Sequence, residues 1–105
     1  MPVKQIADVS VEVDGEGFLT NPDQWSKEIA TAIAQEEGIS ELKEGHWRVI
    51  EFMRQDFKEN GQVPTIRRLN KVANIATKDL YEWFPGGPAK KAAKISGLSK
   101  PQGCV

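Results

Sequence analysis

The chain has 105 residues, with 14 Lys and Arg against 15 Asp and Glu, 39% hydrophobic and 28% charged. That is an ordinary globular mixture, long enough to bury one core as one domain. No run reaches the roughly 20 apolar residues of a membrane-spanning helix, and the opening MPVKQIADVSV lacks the apolar stretch of a signal peptide. A lone cysteine, Cys104, excludes a disulfide framework and a cysteine-based zinc site, and the lone histidine, His46, argues against a His-dependent metal centre. No cofactor or metal is therefore expected, and the expected compartment is the cytoplasm, where a single thiol stays reduced.

Charge is unevenly divided along the chain. Residues 1–59 hold thirteen acidic and six basic side chains, and residues 60–105 hold eight basic and two acidic. A basic C-terminal half suits a docking face for something negative, and equally suits solvated helix surfaces.

In chain order, Val9, Val11 and Val13 alternate with Ser10 and Glu12, the period-2 pattern of a half-buried strand. Asp14-Gly15-Glu16-Gly17 predicts a turn, and Phe18-Leu19 a short return strand. Asn21, Pro22 and Gln24 then combine an N-cap, a first-turn proline and a capping-box glutamine. Trp25, Ile29, Ala32 and Ile33 form the apolar stripe of the helix they open, which Gly38 ends. A second helix is expected from Glu44 to Asn60, with Trp47, Ile50, Met53 and Phe57 inward and Gly61 as its stop.

Two short helices follow. Pro64-Thr65 opens one whose Ile66, Leu69, Val72 and Ala73 face the core. Asn74-Ile75-Ala76 makes a tight turn, and Thr77 caps a second, Lys78 to Phe84, with Leu80, Tyr81 and Phe84 apolar. The outline is that of a helix-turn-helix. Pro85-Gly86-Gly87-Pro88 is a strong break, after which AKKAAKISGL allows at most a short helix. The expected architecture is mostly α: a compact helical domain with a small N-terminal β-hairpin in residues 1–84, and a flexible C-terminal arm in residues 85–105. Fully extended, the roughly 20 residues after Phe84 would span about 65–70 Å.

Cys104 is the penultimate residue, between Gly103 and Val105. A thiol at a chain end is not packed as a core cysteine is, and its thiolate is a nucleophile whose population follows local charge. Lys90, Lys91, Lys94 and Lys100 favour the thiolate, and the terminal carboxylate opposes it. A thiol at the tip of an arm can enter the active site of another protein.

The stretch WFPGGPAKKAAKISGLSKPQGCV resembles the C-terminal arm of the TusE/DsrC family of sulfur-relay proteins, also described as the dissimilatory sulfite reductase gamma-subunit family. VDGEGFLTNPDQW, HWRVIEFMR and VPTIRRLNK extend the resemblance over nearly the whole chain. The resemblance implies a mostly helical fold and a sulfurtransferase of the carrier type. In it the penultimate cysteine, here Cys104, takes sulfane sulfur from an upstream persulfide donor protein. It passes that sulfur to a downstream acceptor, either a tRNA-thiolating protein or a sulfite-reductase-type complex. The resemblance also carries Arg67 and Lys71, four apart on one helical face, as partner contacts; a plain solvated surface explains the pair equally well. Members serving sulfite reductase carry a second arm cysteine where this chain has Ala93. The chain therefore resembles the single-cysteine branch, which relays sulfur toward 2-thiouridine in tRNA, or a paralogue that lacks the second thiol. Ser99 and Gln102 also depart from the commoner residues of the arm.

A helix-turn-helix DNA-binding protein is the rival reading, with Arg67, Arg68, Lys71 and Lys78 as phosphate contacts. The second helix, KDLYEWF, is poor in base-reading side chains, and a pI of 5.8 is low for a nucleic-acid-binding domain. DNA is thus disfavoured as a partner. His46, beside Trp47 at a helix start, reads as structural, and Trp25, Trp47 and Trp83 as core or core-edge residues.

Overall fold

The structure is a computed structural model and describes residues 3–101. An antiparallel hairpin opens it, β1 (Val3–Ile6) against β2 (Val9–Glu12), with Lys4 opposite Val11 and Ile6 opposite Val9. The partner of β2 is therefore a strand N-terminal to it, which the alternation from Val9 onward did not reveal. The link is Ala7-Asp8, both at positive φ (53° and 65°). That is the backbone a two-residue hairpin requires, here without the customary glycine. The turn expected at Asp14–Gly17 also forms. Asp14 Oδ1 accepts from the Glu16 and Phe18 amides at 2.9 and 3.0 Å. The expected return strand, however, shrinks to one bridge, Val13 to Leu19. Val11 and Val13 are buried, whereas Val9, at the hairpin tip, is exposed.

Among the described residues five α-helices follow. Asn21 caps only a single 3-10 turn, Pro22–Gln24. The chain is extended at Trp25, and Ser26 caps α1 (Lys27–Glu36) by accepting from the Ile29 amide. Gln24 accepts from the Glu12 amide at 2.9 Å and so ties the turn to β2, leaving no capping box. Gly38, at φ 88°, ends α1, and the Ile39 amide reaches back to the Ala34 carbonyl. α2 (Glu44–Asn60) has the expected bounds, closed by Gly61 in the left-handed region. Val49, Ile50 and Met53 are fully buried, and Trp47 and Phe57 pack on the core edge.

α3 (Ile66–Lys71) is capped by Thr65, which accepts from the Arg68 amide. The helix stops before Val72, which is 56% exposed and not a core residue. Asn74 turns the chain at φ 58°. Ala76, not Thr77, stands at the N-cap of α4 (Thr77–Trp83) and makes no side-chain cap. Asn70 secures the turn instead: its Nδ2 donates to the Ile75 carbonyl at 2.7 Å, and its Oδ1 accepts from the Thr77 hydroxyl. Of the apolar residues of α4, Tyr81 is exposed, while Leu80, and Phe84 just beyond the helix, are buried.

The largest difference from expectation is α5 (Pro88–Ile95). It packs on α1, α2 and α4, and Ala89, Ala92, Ala93, Ile95 and Leu98 are all buried. Residues 88–98 thus complete the core and are not part of a free arm. The alanines give little hydrophobic signal singly, yet together they let a lysine-bearing helix sit deep among larger neighbours.

Candidate functional site

Cys104 lies outside the described residues. What the structure supplies is the ground from which its tail starts. Pro101 is buried and Cys104 stands three positions beyond it, so covalent geometry limits the reach from Pro101 to about 10 Å, far short of a free twenty-residue arm. Ser99 and Lys100 are exposed and line a groove of about 340 Å³ with Phe57, Gly61, Gln62, Val63 and Thr65.

α5 ends in an unusual cap. The Trp25 indole N–H donates to the Ile95 carbonyl at 2.9 Å. The Arg54 guanidinium lies 4.2 Å from the centre of that ring. It donates to the Ser96 carbonyl at 2.9 Å and to the Pro22 carbonyl at 3.3 Å. Burial pushes Arg54 below the usual arginine range, and Asp23 opposes that shift. Gly97 (φ 72°) passes under the indole, where a Cβ would lie 2.5 Å from Trp25 Cδ1. Local sequence patterns could not have found this group, because its contacts span 42 and 70 residues.

The arm lysines are engaged. Lys91 donates to the Glu37 carbonyl at 3.1 Å, and Lys94 pairs with the Glu37 carboxylate at 3.2 Å. Both complement the negative C-terminal end of α1. Lys100 pairs with Glu16 at 3.2 Å. Three of the four lysines expected to favour a Cys104 thiolate therefore have acidic or carbonyl partners of their own.

Arg67 and Lys71 are both exposed on α3, and neither has an ion-pair partner among the described residues. Arg68, between them in sequence, is turned to other use. It grips the buried Asp56 through Nε and Nη2 at 2.8 and 2.7 Å, with Asn60 donating to the same carboxylate. The exposed part of α4 offers Thr77, Lys78, Tyr81 and Glu82, a poor set for reading bases. Ala93 is fully buried one turn before Gly97.

The Asp56 carboxyl is held below the usual carboxylate range, first by the Arg68 hydrogen bonds; burial opposes this, and the Arg68 charge and Asn60 add to it. Its folded-state value lies below its unfolded one. The stability it contributes is therefore present above about pH 4 and is lost as pH falls through the depressed folded value. The half-exposed Arg68 screens the contribution. Asp56→Asn is expected to lower the urea midpoint at pH 7, by an amount that shrinks progressively below pH ~4. An equal loss at pH 7 and at low pH would contradict the pairing.

His46 is structural. Its Nδ1 accepts from the Lys43 amide at 3.0 Å, which leaves the proton on Nε2 to donate to the Trp83 carbonyl at 2.8 Å. Among the described residues no helix is long and apolar enough to cross a membrane.

Comparison with known proteins places this arrangement. Residues 5–105 match the family described as DsrC like protein. The chain is 43% identical over 96 residues to the dissimilatory-type sulfite reductase subunit gamma of Nitratidesulfovibrio vulgaris, covering 91% of each chain. It is 44% identical over 102 residues to the sulfurtransferase TusE of Escherichia coli K12, covering 90% of this chain and 93% of that one. The crystal structure of dissimilatory sulfite reductase I (DsrI) contains a chain that superposes with a TM-score of 0.87 at 40% identity, covering 99% of this chain and all of that one. The oxidized gamma subunit (DsrC) from Archaeoglobus fulgidus superposes at 0.79 with 34% identity, again over 99% of this chain and all of that one. The chain belongs to the DsrC family.

Proposed function

We propose that the protein is a sulfur carrier in which Cys104 accepts sulfane sulfur as a persulfide and delivers it to the next protein. The observation that carries this reading is the family match, which runs through residue 105 and so includes the only cysteine, together with relatives named as sulfurtransferases. In the loading step the Cys104 thiolate attacks the outer sulfur of a donor persulfide. A new S–S bond forms to Cys104, the donor's S–S bond breaks, and the donor leaves as its thiolate, with no net oxidation. Delivery reverses the roles: an acceptor nucleophile attacks the outer sulfur and Cys104 departs as thiolate. A carrier of this kind needs a deliverable thiol and not an enclosed pocket. Arg67 and Lys71 would meet an acidic surface of donor or acceptor. With Ala93 in place the chain cannot bridge two thiols of its own, which favours a tRNA-thiolating acceptor over a sulfite-reductase-type one.

The test is direct. Incubated with glutathione persulfide, the protein is expected to gain the mass of one sulfur atom, mapped to Cys104, while Cys104→Ala gains none. A loaded Cys104→Ala chain, or a parent chain that never loads, would overturn the reading.

A further inference from the structure

Of the four asparagines in the chain, only Asn60 is followed by glycine. Such a pair is chemically labile, because a successor without a side chain leaves the asparagine amide carbon open to attack by the next main-chain nitrogen. Asn60 is the last residue of α2 and is exposed. Gly61 closes the helix at φ 73°, with open space where a Cβ would lie. Asn60 also borders a cleft of about 480 Å³ with Asp56, Pro64 and Arg68, so water reaches it. Both reacting groups are nevertheless tied down. The Gly61 amide donates to the Phe57 carbonyl at 2.7 Å. Asn60 Nδ2 donates to Asp56 Oδ1 at 2.8 Å, and Arg68 fastens the same carboxylate with two further hydrogen bonds. Reaction requires the last turn of α2 to open, which frees the amide and lets the side chain fold back onto it.

We propose that Asn60 is a deamidation site restrained by the Asp56–Arg68 pair, and that its conversion to a carboxylate works against that pair. The Gly61 amide gives its proton to hydroxide, and its nitrogen bonds to the side-chain carbon of Asn60, closing a five-membered imide. The side-chain carbon–nitrogen bond breaks, and that nitrogen leaves as ammonia with a proton from water. Water then opens the imide to aspartate or isoaspartate, with no net oxidation. The new carboxylate stands one turn from Asp56, beside Glu59 and at the negative end of α2. Like charge at that spacing and negative charge at a helix C-terminus are both unfavourable. Isoaspartate also lengthens the main chain by one carbon, just ahead of the loop that leads to Thr65, the N-cap of α3. The closed turn protects the site, and the converted site resists closing again.

The conversion is followed by peptide mapping of the full chain incubated near neutral pH. It is expected to run at least about tenfold slower in the folded chain than in denaturing urea, since every ~1.4 kcal/mol of closure is a factor of ten. Asp56→Ala removes the acceptor of Asn60 and the partner of Arg68 together. It is expected to speed conversion in the folded chain about three- to tenfold, the worth of one or two net hydrogen bonds. Arg68→Gln, which loosens the same carboxylate, decides the matter should Asp56→Ala fail to fold. Asn60→Asp stands in for the product. Its urea midpoint is expected to fall further than that of Asn60→Ser, which loses the amide without adding charge, and added salt is expected to narrow the gap. Equal rates in the folded and unfolded chain would overturn the proposal. So would an unchanged rate in the folded variants, or an Asn60→Asp chain as stable as Asn60→Ser.

Discussion

Gly97→Ala is expected to cost about 3 kcal/mol, because two penalties act at one atom. The residue sits at φ 72°, where a Cβ costs roughly 1–2 kcal/mol. The added carbon would also stand 2.5 Å from Trp25 Cδ1 and 2.8 Å from its Cβ, and overpacking a rigid site costs roughly 1–3 kcal/mol more. The indole cannot withdraw cheaply, since its N–H is bound to the Ile95 carbonyl and Arg54 covers its ring. For a domain of this size the loss corresponds to a melting temperature lower by about 10–20 °C. Gly38→Ala is the matched control. It carries a similar φ of 88° but open space where the Cβ would go, so only the backbone penalty of about 1–2 kcal/mol applies. Equal losses in the two variants would show that the Trp25 contact is slack.

His46→Ala is expected to cost about 2–4 kcal/mol by urea unfolding. The residue is 6% exposed, and its ring bridges the start of α2 to the end of α4. Its loss strands the Lys43 amide and the Trp83 carbonyl and opens a cavity beside Phe84, against which the ring packs edge-on at 5.2 Å. The two ring nitrogens have separable substitutes. His46→Asn can retain the acceptor toward Lys43, and His46→Gln can retain the donor toward Trp83. Each is expected to recover part of the loss, and an alanine cost below about 1 kcal/mol would refute the bridge.

Legibility in the sequence followed the range of the interactions. α2 was readable to the residue because its apolar spacing, its glycine stop and its length are all local signals. The end of α1 at Gly38 was readable for the same reason. Its start was not: two capping residues, Asn21 and Ser26, stand five apart, and the first closes only a 3-10 turn because Trp25 leaves the helix to reach α5. The hairpin turn carries no sequence signal because Ala7 occupies a backbone region that ordinarily advertises itself with glycine or asparagine. The burial of α5 is not legible in its residues, because alanine and lysine dominate it and the grooves it meets decide its depth. The family resemblance pointed to Cys104, while the cap at the end of α5 depends on contacts no local pattern encodes.

The buried alanine at position 93 bears on how readily this lineage can change its redox chemistry. A cysteine there would add a single heavy atom to the interior, at a packing cost of about 1 kcal/mol that neighbouring side chains can partly absorb. The new thiol would be shielded from dissolved oxidants, and its apolar surroundings would hold it protonated and inert until the end of α5 moved. An Ala93→Cys change is therefore one that the packing around α5 can absorb with the architecture intact.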